Sequence, residues 1–278
     1  MLPKAVPTSF SHESIAALGN PVRIWAVGSL YGRYGALCQL HEALSRKIQP
    51  GEALVYLGNY LGAHSQWTGE GQAVLGELIA LRDAVTALPA SSPESVVFLR
   101  GAFEDLALRL PQLAFQKDPA AWVEENLPKG LEFYLSAYGA EGSDLLAAAR
   151  ADVFTINRFT HDWQKRLASP AGHAGFFAQM KAAANTQTRQ PLAFIPHGLD
   201  PRVSLHLQRE LLCWPQSDIS RLSQYGTYGR VIRGTGGRWT TSADKDFVVT
   251  LDGGGGLDGM IHAACLDPQG RVLEHLTF

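Results

Sequence analysis

Residues 23–32 read RIWAVGSLYG, a short apolar run that ends in a glycine-bounded loop. An apolar run of this length between turn residues is typical of a strand that is buried on both faces. The same arrangement recurs at residues 54–62, LVYLGNYLG, and at residues 96–101, VVFLRG. Each of the three stretches therefore predicts a buried strand followed by a loop.

Apolar residues between these runs recur at three- and four-residue steps. Leu37, Leu40, Leu44 and Ile48 form one such series, and residues 74–85 contain a second. This spacing is the period of an α-helix with one apolar face. The order β-α-β-α-β predicts parallel strands joined by helical crossovers.

The rest of the chain divides into a helical part and a second series of strands. Mixed polar and apolar sequence interrupted by prolines predicts a helical insert at about residues 107–190. Further strands are predicted at residues 192–195, 230–233, 247–251, 260–264 and 272–273. Their short, glycine-rich connections favour antiparallel hairpins. We expect one α/β domain spanning residues 1–278.

Composition excludes several classes of protein. A hydrophobic fraction of 46% and a charged fraction of 18% are those of a globular protein, and no stretch is long and apolar enough to span a membrane. The net charge of −2, without a basic patch, argues against nucleic-acid partners. The start of the chain has no export signal, which predicts a cytoplasmic location. Three widely spaced cysteines, Cys38, Cys213 and Cys265, are expected to be reduced packing residues.

Five loops follow predicted strands, and ligands of open α/β sheets gather at such loops. In chain order they are residues 28–32 (GSLYG), 58–64 (GNYLGAH), 100–105 (RGAFED), 195–201 (IPHGLDP) and 231–237 (VIRGTGG). We refer to these as loops one to five. Any functional site is expected where these loops meet.

In order, spacing and flanks the five loops resemble those of the calcineurin-like metallophosphoesterases, in the bacterial branch near serine/threonine protein phosphatases and diadenosine tetraphosphatases. That family has GDxHG, GDxVDRG, RGNHE, HAG and GHTP at these places. Residues 131–139 are similar to its segment ending in SYG, residues 198–208 to its GLxPGVPLxxQ, and residues 252–256 to its DTG turn. The resemblance covers most of residues 23–266. It implies a β-sandwich of mixed sheets flanked by helices, with a helical insert.

The resemblance also implies which residues occupy the catalytic positions. Family members hold two divalent ions about 3.5–4 Å apart, and these ions clamp a phosphate and activate a water. The metal-ligand positions correspond here to Ser29, Tyr31, Asn59, Ala102, Pro196 and Thr235, and the catalytic histidine to Phe103. Hydroxyls and a single amide are weak ligands for transition metals. We therefore expect no metal cofactor and no catalytic residue.

Some polar residues near the loops remain as candidates for binding. Arg100 matches a phosphate contact of the family, and Arg233 lies two residues before the position of the last histidine ligand. With Asn59 and His197 they could form a metal-free anion site. The alternative is that these arginines are ordinary ion-paired surface groups. Glu104 is expected to cap or orient loop three.

These observations favour a catalytically inactive phosphatase-like protein that binds or regulates, with a phosphorylated small molecule or a protein as partner. One alternative is an active phosphoesterase with an atypical site, acting on phosphoproteins or dinucleoside polyphosphates. A hydrolase using Ser29 with His197 or His64 is another, although no GxSxG motif is present. A third is a subunit of a larger complex.

Overall fold

Two mixed β-sheets lie face to face at the centre of the structure. The computed structural model describes residues 15–62, 70–89, 91–208, 212–214, 219–235, 241–253 and 259–278. The strands are β1 (Ile15–Ala17), β2 (Ile24–Val27), β3 (Ala53–Tyr56), β4 (Val96–Phe98), β5 (Ala183–Asn185), β6 (Leu192–Ile195), β7 (Arg230–Arg233), β8 (Thr241–Asp244), β9 (Val248–Gly253), β10 (His262–Leu266) and β11 (Val272–Thr277). One sheet has the order β11-β10-β2-β3-β4 and the other β1-β5-β6-β7-β9-β8.

The helices pack on the five-stranded sheet. They are α1 (Tyr34–Ser45), α2 (Gly71–Thr86), α3 (Ala102–Arg109), α4 (Pro119–Asn126), α5 (Glu132–Ala137), α6 (Gly142–Ala151), α7 (Val153–Ala168) and α8 (His173–Gln179). Leu37, Leu40 and Leu44 of α1 are fully buried in the core that these helices share with the sheet. The predicted apolar face of α1 is therefore confirmed.

Two further apolar cores complete the layers. The core between the sheets contains side chains of both, such as Val55 and Leu266 on one side and Phe194 and Ile232 on the other. The outer face of the six-stranded sheet is covered by residues of the segment that follows β6, including Leu199 and Tyr225. The described part of that segment includes a 3₁₀ turn at Leu205–Leu207. The structure is thus the expected sandwich of mixed sheets flanked by helices.

The parallel arrangement of the first three predicted strands is confirmed. Ile24 of β2 pairs with Ala53 of β3, and Leu54 of β3 pairs with Val96 of β4, in each case in parallel. The first two crossovers contain α1 and α2, as the hydrophobic period predicts. The carboxyl ends of β2, β3 and β4 consequently lie at one edge of the sheet.

The prediction of antiparallel hairpins is wrong for the second sheet. β6 pairs with β7 in parallel, and β7 pairs with β9 in parallel. The chain between β6 and β7 crosses the outer face of the sheet instead of turning back, and β8 fills the connection before β9 by folding antiparallel onto it. An antiparallel hairpin is confirmed for β10 and β11. The strands β1 (IAA), β5 (AAN) and β8 (TSAD) were not predicted because they lack the run of large apolar residues by which strands of equal length, such as β4 (VVF), were recognised.

Some sequence predictions fall on residues outside the described ranges. These are the start of the chain (residues 1–14), residues 63–64 of loop two, residues 236–237 of loop five and residues 254–256 of the segment after β9. The single-domain assignment and the limits of the helical insert stay predictions. Cys38, Cys213 and Cys265 are free thiols, as expected. No described helix is long and apolar enough to cross a membrane.

Candidate functional site

Backbone and side-chain contacts bring the first three loops together. The backbone N–H of Leu30 in loop one donates to the carbonyl of Asn59 in loop two at 3.0 Å. The backbone N–H of Phe103 in loop three donates to Oδ1 of Asn59 at 3.4 Å. Asn59 therefore connects loop two to both of its neighbours.

Loops four and five join this group from the second sheet. The backbone N–H of Thr235 donates to the carbonyl of Pro196 at 3.0 Å. Ser29 Oγ of loop one donates to the carbonyl of Gly234 at 3.4 Å. The seven positions assigned from the family resemblance thus belong to loops that meet at one edge of the sandwich.

Two glycines permit the loops to approach each other this closely. A Cβ on Gly28 would lie 1.9 Å from the carbonyl oxygen of Leu251, and a Cβ on Gly58 would lie 2.6 Å from the backbone nitrogen of Gly101. Gly58 also has a φ of 98°, a backbone conformation that residues with a Cβ rarely adopt. Gly28 after β2 and Gly58 after β3 are therefore required by the close packing of the loops.

Two residues of the site hold a strained backbone. Tyr31 has a φ of 50° and Asn59 a φ of 57°, and they are the only non-glycine residues with positive φ in the described ranges. The left-handed region costs an ordinary residue about 1 kcal/mol or more, and asparagine less. Both residues occupy positions of metal ligands in the resembling family. The loops have the strained backbone expected of a functional site although the side chains differ.

Ser29, Asn59 and Thr235 use their polar atoms inside the protein. Asn59 Nδ2 donates to Ser29 Oγ at 3.2 Å. Thr235 Oγ1 donates to Oδ2 of Asp252 at 2.7 Å. Ser29 and Asn59 are each 4% exposed and Thr235 is 5% exposed. The two bonds are joined through Tyr31, which has hydrogen bonds with both Ser29 and Thr235, so the three side chains belong to one buried hydrogen-bond network.

Tyr31 and Phe103 add an aromatic layer to the network. Their ring centroids lie 5.9 Å apart with an interplanar angle of 59°. Burial raises the pKa of Tyr31, the negative charge of Asp252 raises it further, and hydrogen bonds with Ser29 and Thr235 oppose the rise. Tyr31 is therefore a neutral phenol at physiological pH.

A glycine in the helical region leaves room for Phe103. Gly130 has a φ of 123°, and a Cβ at this position would lie 2.3 Å from the ring of Phe103. The aromatic ring that replaces the catalytic histidine of the resembling family thus packs directly on the backbone of residue 130. Phe103 is held by packing, and its phenyl ring has no acidic proton to donate to a leaving group.

The donor set does not fit a pair of divalent cations. Ala102 and Pro196 contribute no side-chain donor, and Ser29 and Thr235 contribute hydroxyls that are already bonded within the protein. Divalent transition metals require imidazole, carboxylate or thiolate ligands. Within the described ranges no group of three or more His, Cys, Asp or Glu side chains is arranged to hold a metal ion.

Glu104 organises loops two and three, and its predicted structural role is confirmed. Its carboxylate accepts hydrogen bonds from the backbone N–H groups of Asn59 (2.8 Å), Tyr60 (2.9 Å) and Gly101 (2.8 Å). The hydroxyl of Tyr134 donates to it at 2.5 Å. Burial raises the pKa of Glu104, and these four hydrogen bonds oppose the rise. The carboxylate fixes the backbone of both loops.

The arginines of the predicted anion site make contacts inside the protein. Arg100 Nε lies 3.6 Å from Oδ1 of Asp105. Arg233 is 1% exposed, and its Nε donates to Oγ1 of Thr250 at 2.9 Å. Each of these contacts involves only the Nε of its guanidinium group, and the anion site stays a prediction.

His197 is buried next to Arg233. It is 6% exposed, and its Nδ1 has no hydrogen-bond partner in the described structure. Burial, and secondly the charge of Arg233, lower the pKa of His197 to about 4. The imidazole is therefore neutral at physiological pH.

The sequence analysis did not identify Arg33 as part of the site. Arg33 is 4% exposed, its Nη1 donates to the carbonyl of Met260 at 2.8 Å, and its guanidinium lies 5.9 Å from the ring centroid of Tyr31. The sequence signal that could have identified Arg33 is its position directly after loop one, because a charged residue is unusual at the start of a buried helix. The sequence analysis assigned Asp252 to a turn at residues 252–256, and it did not predict the hydrogen bond between Asp252 and Thr235.

Comparisons with known proteins identify structural relatives but no sequence family. Neither the protein-family models nor the curated proteins contain a match. A crystal structure of a candidate diadenosine tetraphosphatase is similar with a TM-score of 0.51 and 14% identity, over 95% of this chain and 98% of that chain. A protein serine/threonine phosphatase from Saccharomyces cerevisiae gives the same TM-score and identity, over 95% and 83% of the two chains.

A mutant of a cold-active protein tyrosine phosphatase is similar with a TM-score of 0.50 and 10% identity, over 96% of this chain and 83% of that chain. At these identities the likeness shows the fold alone. The chain therefore shares its fold with these phosphatase structures, which agrees with the fold that the five loops led us to expect.

Proposed function

We propose that this protein has the metallophosphoesterase fold without phosphoesterase activity, and that it acts by binding. The observation that carries the proposal is the hydrogen-bond network of Ser29, Asn59, Thr235 and Asp252. Ser29, Asn59 and Thr235 are three of the positions that the loop correspondence assigns to the metal ligands of the resembling family. Ser29 Oγ, Asn59 Nδ2 and Thr235 Oγ1 each donate a hydrogen bond to another group of this protein, which supports the proposal.

The charges of the site agree with a joint loss of the carboxylate ligands and the cations. Carboxylates without cations would leave buried negative charges, and cations without carboxylates would leave buried positive ones. Here Ser29 and Asn59 are neutral, and the buried carboxylate of Asp252 accepts a hydrogen bond from Thr235. A site with few uncompensated charges is stable without metal ions, and a protein that keeps its fold under these conditions can function as a binding surface.

The proposed role is a binding or regulatory one in the cytoplasm, with a protein or a phosphorylated small molecule as the partner and no role for nucleic acids or membranes. For a phosphorylated molecule the groups expected to bind are Arg100 and Arg233, with Asn59 and His197. For a protein partner the surface lies outside the five loops.

Measurements of bound metal and of phosphoester hydrolysis test whether the protein lacks phosphoesterase activity. The full chain is purified without chelators, and bound Mn, Fe and Zn are measured by elemental analysis. Hydrolysis of p-nitrophenyl phosphate and diadenosine tetraphosphate is then assayed with and without added Mn²⁺. We expect substoichiometric metal and no metal-dependent turnover. Stoichiometric metal, or turnover that increases with Mn²⁺, would establish the active alternative.

Inorganic phosphate tests the anion site separately. If Arg233 contributes to such a site, phosphate raises the thermal unfolding temperature of the wild type, and this rise disappears in Arg233→Gln. Arg202→Gln is the matched control because Arg202 has a side chain that is 86% exposed and paired with Asp200. If millimolar phosphate does not raise the unfolding temperature, the phosphorylated ligand is excluded from the proposal and the protein partner remains.

A further inference from the structure

Three polar side chains form a hydrogen-bonded row between α1, α2 and β3. His41 of α1 lies between Glu77 of α2 and Tyr56 of β3. Its Nδ1 is 2.7 Å from Oε1 of Glu77, and its Nε2 is 2.7 Å from the hydroxyl oxygen of Tyr56. We refer to these three side chains as the His41 link. None of them belongs to loops one to five, so the link is distinct from the site described above.

The His41 link runs from the surface into the core. The side chain of Glu77 is 29% exposed, whereas His41 is 4% exposed and Tyr56 is completely buried. The ring of Tyr56 stacks on that of Phe98, with centroids 5.2 Å apart. Solvent therefore reaches the link at Glu77, and Tyr56 cannot move away from His41 without losing this stacking.

The two neighbours of His41 determine where the proton of the neutral imidazole lies. An ionised carboxylate only accepts hydrogen bonds, so Nδ1–H of His41 donates to Glu77. Nε2 is then the unprotonated nitrogen, and it accepts a hydrogen bond from the hydroxyl of Tyr56. Only the neutral imidazole allows both hydrogen bonds in these directions.

A second proton on His41 reverses the inner hydrogen bond. The proton binds Nε2, and Nε2–H then donates to the hydroxyl oxygen of Tyr56. The hydroxyl hydrogen of Tyr56 loses its acceptor, and within the described ranges the structure offers it no other. A buried donor without an acceptor is costly, so protonation of His41 weakens the attachment of α1 to the end of β3.

Tyr56 connects the His41 link to loop two. It is the last residue of β3, and loop two begins two residues later. Its carbonyl accepts hydrogen bonds from the N–H of Leu99 at 2.9 Å and from the hydroxyl of Tyr60 at 3.4 Å. Tyr60 belongs to loop two, and its ring lies edge-on to Phe98, on which Tyr56 stacks. A displacement of Tyr56 therefore disturbs the contacts that hold loop two.

We propose that the His41 link is a pH-sensitive switch that controls the order of loop two. With neutral His41, Tyr56 is held between α1 and the end of β3, and loop two has the conformation described above. On acidification His41 takes up a proton at Nε2, the hydrogen bond from Tyr56 is lost, and loop two becomes more mobile. The inference goes beyond the proposed function and holds whether or not the protein hydrolyses phosphoesters.

The groups around His41 place this switch below the usual titration range of a histidine. Glu77 faces His41 from α2, and the uncharged Tyr56 faces it from β3. On α1 itself Tyr34 and Cys38 are hydrogen-bonded to each other and lie near the same carboxylate. Burial lowers the pKa of His41, and the hydrogen bond and charge of Glu77 oppose the shift. Loop two is therefore expected to loosen as the pH falls below about 6.5.

An NMR titration of the ¹⁵N-labelled full chain from pH 8 to pH 4.5 tests the switch. The His41 signals are assigned by their absence from the spectrum of His41→Gln. At pH 7.5 we expect a proton on Nδ1 and none on Nε2, and the amide signals of Asn59 and Tyr60 should change with the same midpoint as the imidazole. A proton on Nε2 at pH 7.5, or loop-two amides that stay constant while His41 titrates, would overturn the proposal. Global unfolding before His41 titrates would also overturn it.

Glu77→Gln separates the His41 link from other acidic groups near loop two. Glutamine keeps an acceptor for Nδ1–H and removes the charge that favours protonated His41, so the midpoints of the imidazole and of the loop-two amides should fall together by about one pH unit. Glu42→Gln is the matched control, because Glu42 is next in sequence, has a side chain that is 64% exposed and pairs with Arg46. It should leave both midpoints in place. A loop-two midpoint that stays constant while that of His41 falls would assign the change to Glu104 and contradict the proposal.

Discussion

Asn59 Nδ2 lies 3.2 Å from Ser29 Oγ, and this hydrogen bond connects the loops after two neighbouring parallel strands. The sequence analysis assigned both positions to metal ligands of the resembling family. Here Asn59 donates a hydrogen bond to Ser29, and the hydroxyl of Ser29 donates one to the carbonyl of Gly234. The direction of these bonds requires a donor at residue 59, which an amide supplies and a carboxylate does not.

Asn59→Asp is therefore expected to destabilise the protein by about 3 kcal/mol at neutral pH, because it removes the donor and buries a negative charge near Glu104. The new carboxyl should have a raised pKa, so its cost is larger at pH 8 than at pH 5, where it is partly protonated. Urea unfolding at both pH values measures the effect. Asn157→Asp on the exposed face of α7 is the control. Stabilisation of the Asn59 variant by Mn²⁺ would contradict our interpretation of the site.

Glu104→Gln is expected to lower the free energy of unfolding by about 2–4 kcal/mol, because the amide nitrogen of glutamine would face donors where a carboxylate oxygen now accepts. Tyr134→Phe removes only one of the four hydrogen bonds and should cost about 1 kcal/mol. Denaturant unfolding of the two variants gives the comparison. A smaller loss for Glu104→Gln than for Tyr134→Phe would show that the backbone hydrogen bonds contribute little.

His197 is expected to make stability depend on pH between the pKa of an unfolded histidine, about 6.5, and its folded value of about 4. Because the folded value is lowered, the unfolded state binds the proton more readily, and stability falls as the pH falls through this window. The full contribution is about 3 kcal/mol. His197→Gln should flatten the pH dependence of urea unfolding between pH 7 and pH 4.5. His161→Gln, on the exposed side of α7, controls for the loss of a histidine.

An NMR titration checks the same group directly. The imidazole signals of His197 should not shift between pH 8 and pH 5.5. A midpoint near pH 6.5 would show that the side chain is solvated in the folded protein.

Gly130→Ala is expected to destabilise the protein by about 3 kcal/mol or more, because the new methyl group would meet the ring of Phe103 and the φ of 123° disfavours alanine. Gly76→Ala is the opposite control. Gly76 is exposed within α2, and a Cβ there would have nothing within 4 Å. This substitution should stabilise the helix by about 1 kcal/mol. Thermal unfolding of both variants tests the pair, and equal effects would contradict the packing of Phe103 on residue 130.

Much of the fold could be predicted from the sequence because it depends on local periodicity. The runs at residues 192–195 and 230–233 coincide with β6 and β7, and the apolar spacing of α1 and α2 located both crossovers. The direction of pairing between β6 and β7 could not be predicted, since it depends on the path of a long connection across the sheet. The strands β1 and β5 consist mostly of alanine and so lack the large or branched apolar residues by which β4, of equal length, was recognised.

The sequence also predicted where loops one and two begin, because Gly28 and Gly58 follow β2 and β3. It did not predict how the substituted side chains bond to each other. Arg33 was missed, and so were the contacts of Arg100 with Asp105 and of Arg233 with Thr250. The second of these joins two strands, β7 and β9, whose pairing was not predicted.

The sequence alone determined most of the helices and strands and which chemical groups follow the strands, because hydrophobic period, glycine placement and side-chain chemistry are properties of short segments. Only the tertiary structure decided that Asn59 bonds to Ser29 and that Thr235 bonds to Asp252. Hydrogen bonds depend on distances of a few tenths of an ångström between groups from separate loops. Those distances are fixed only when both sheets have packed.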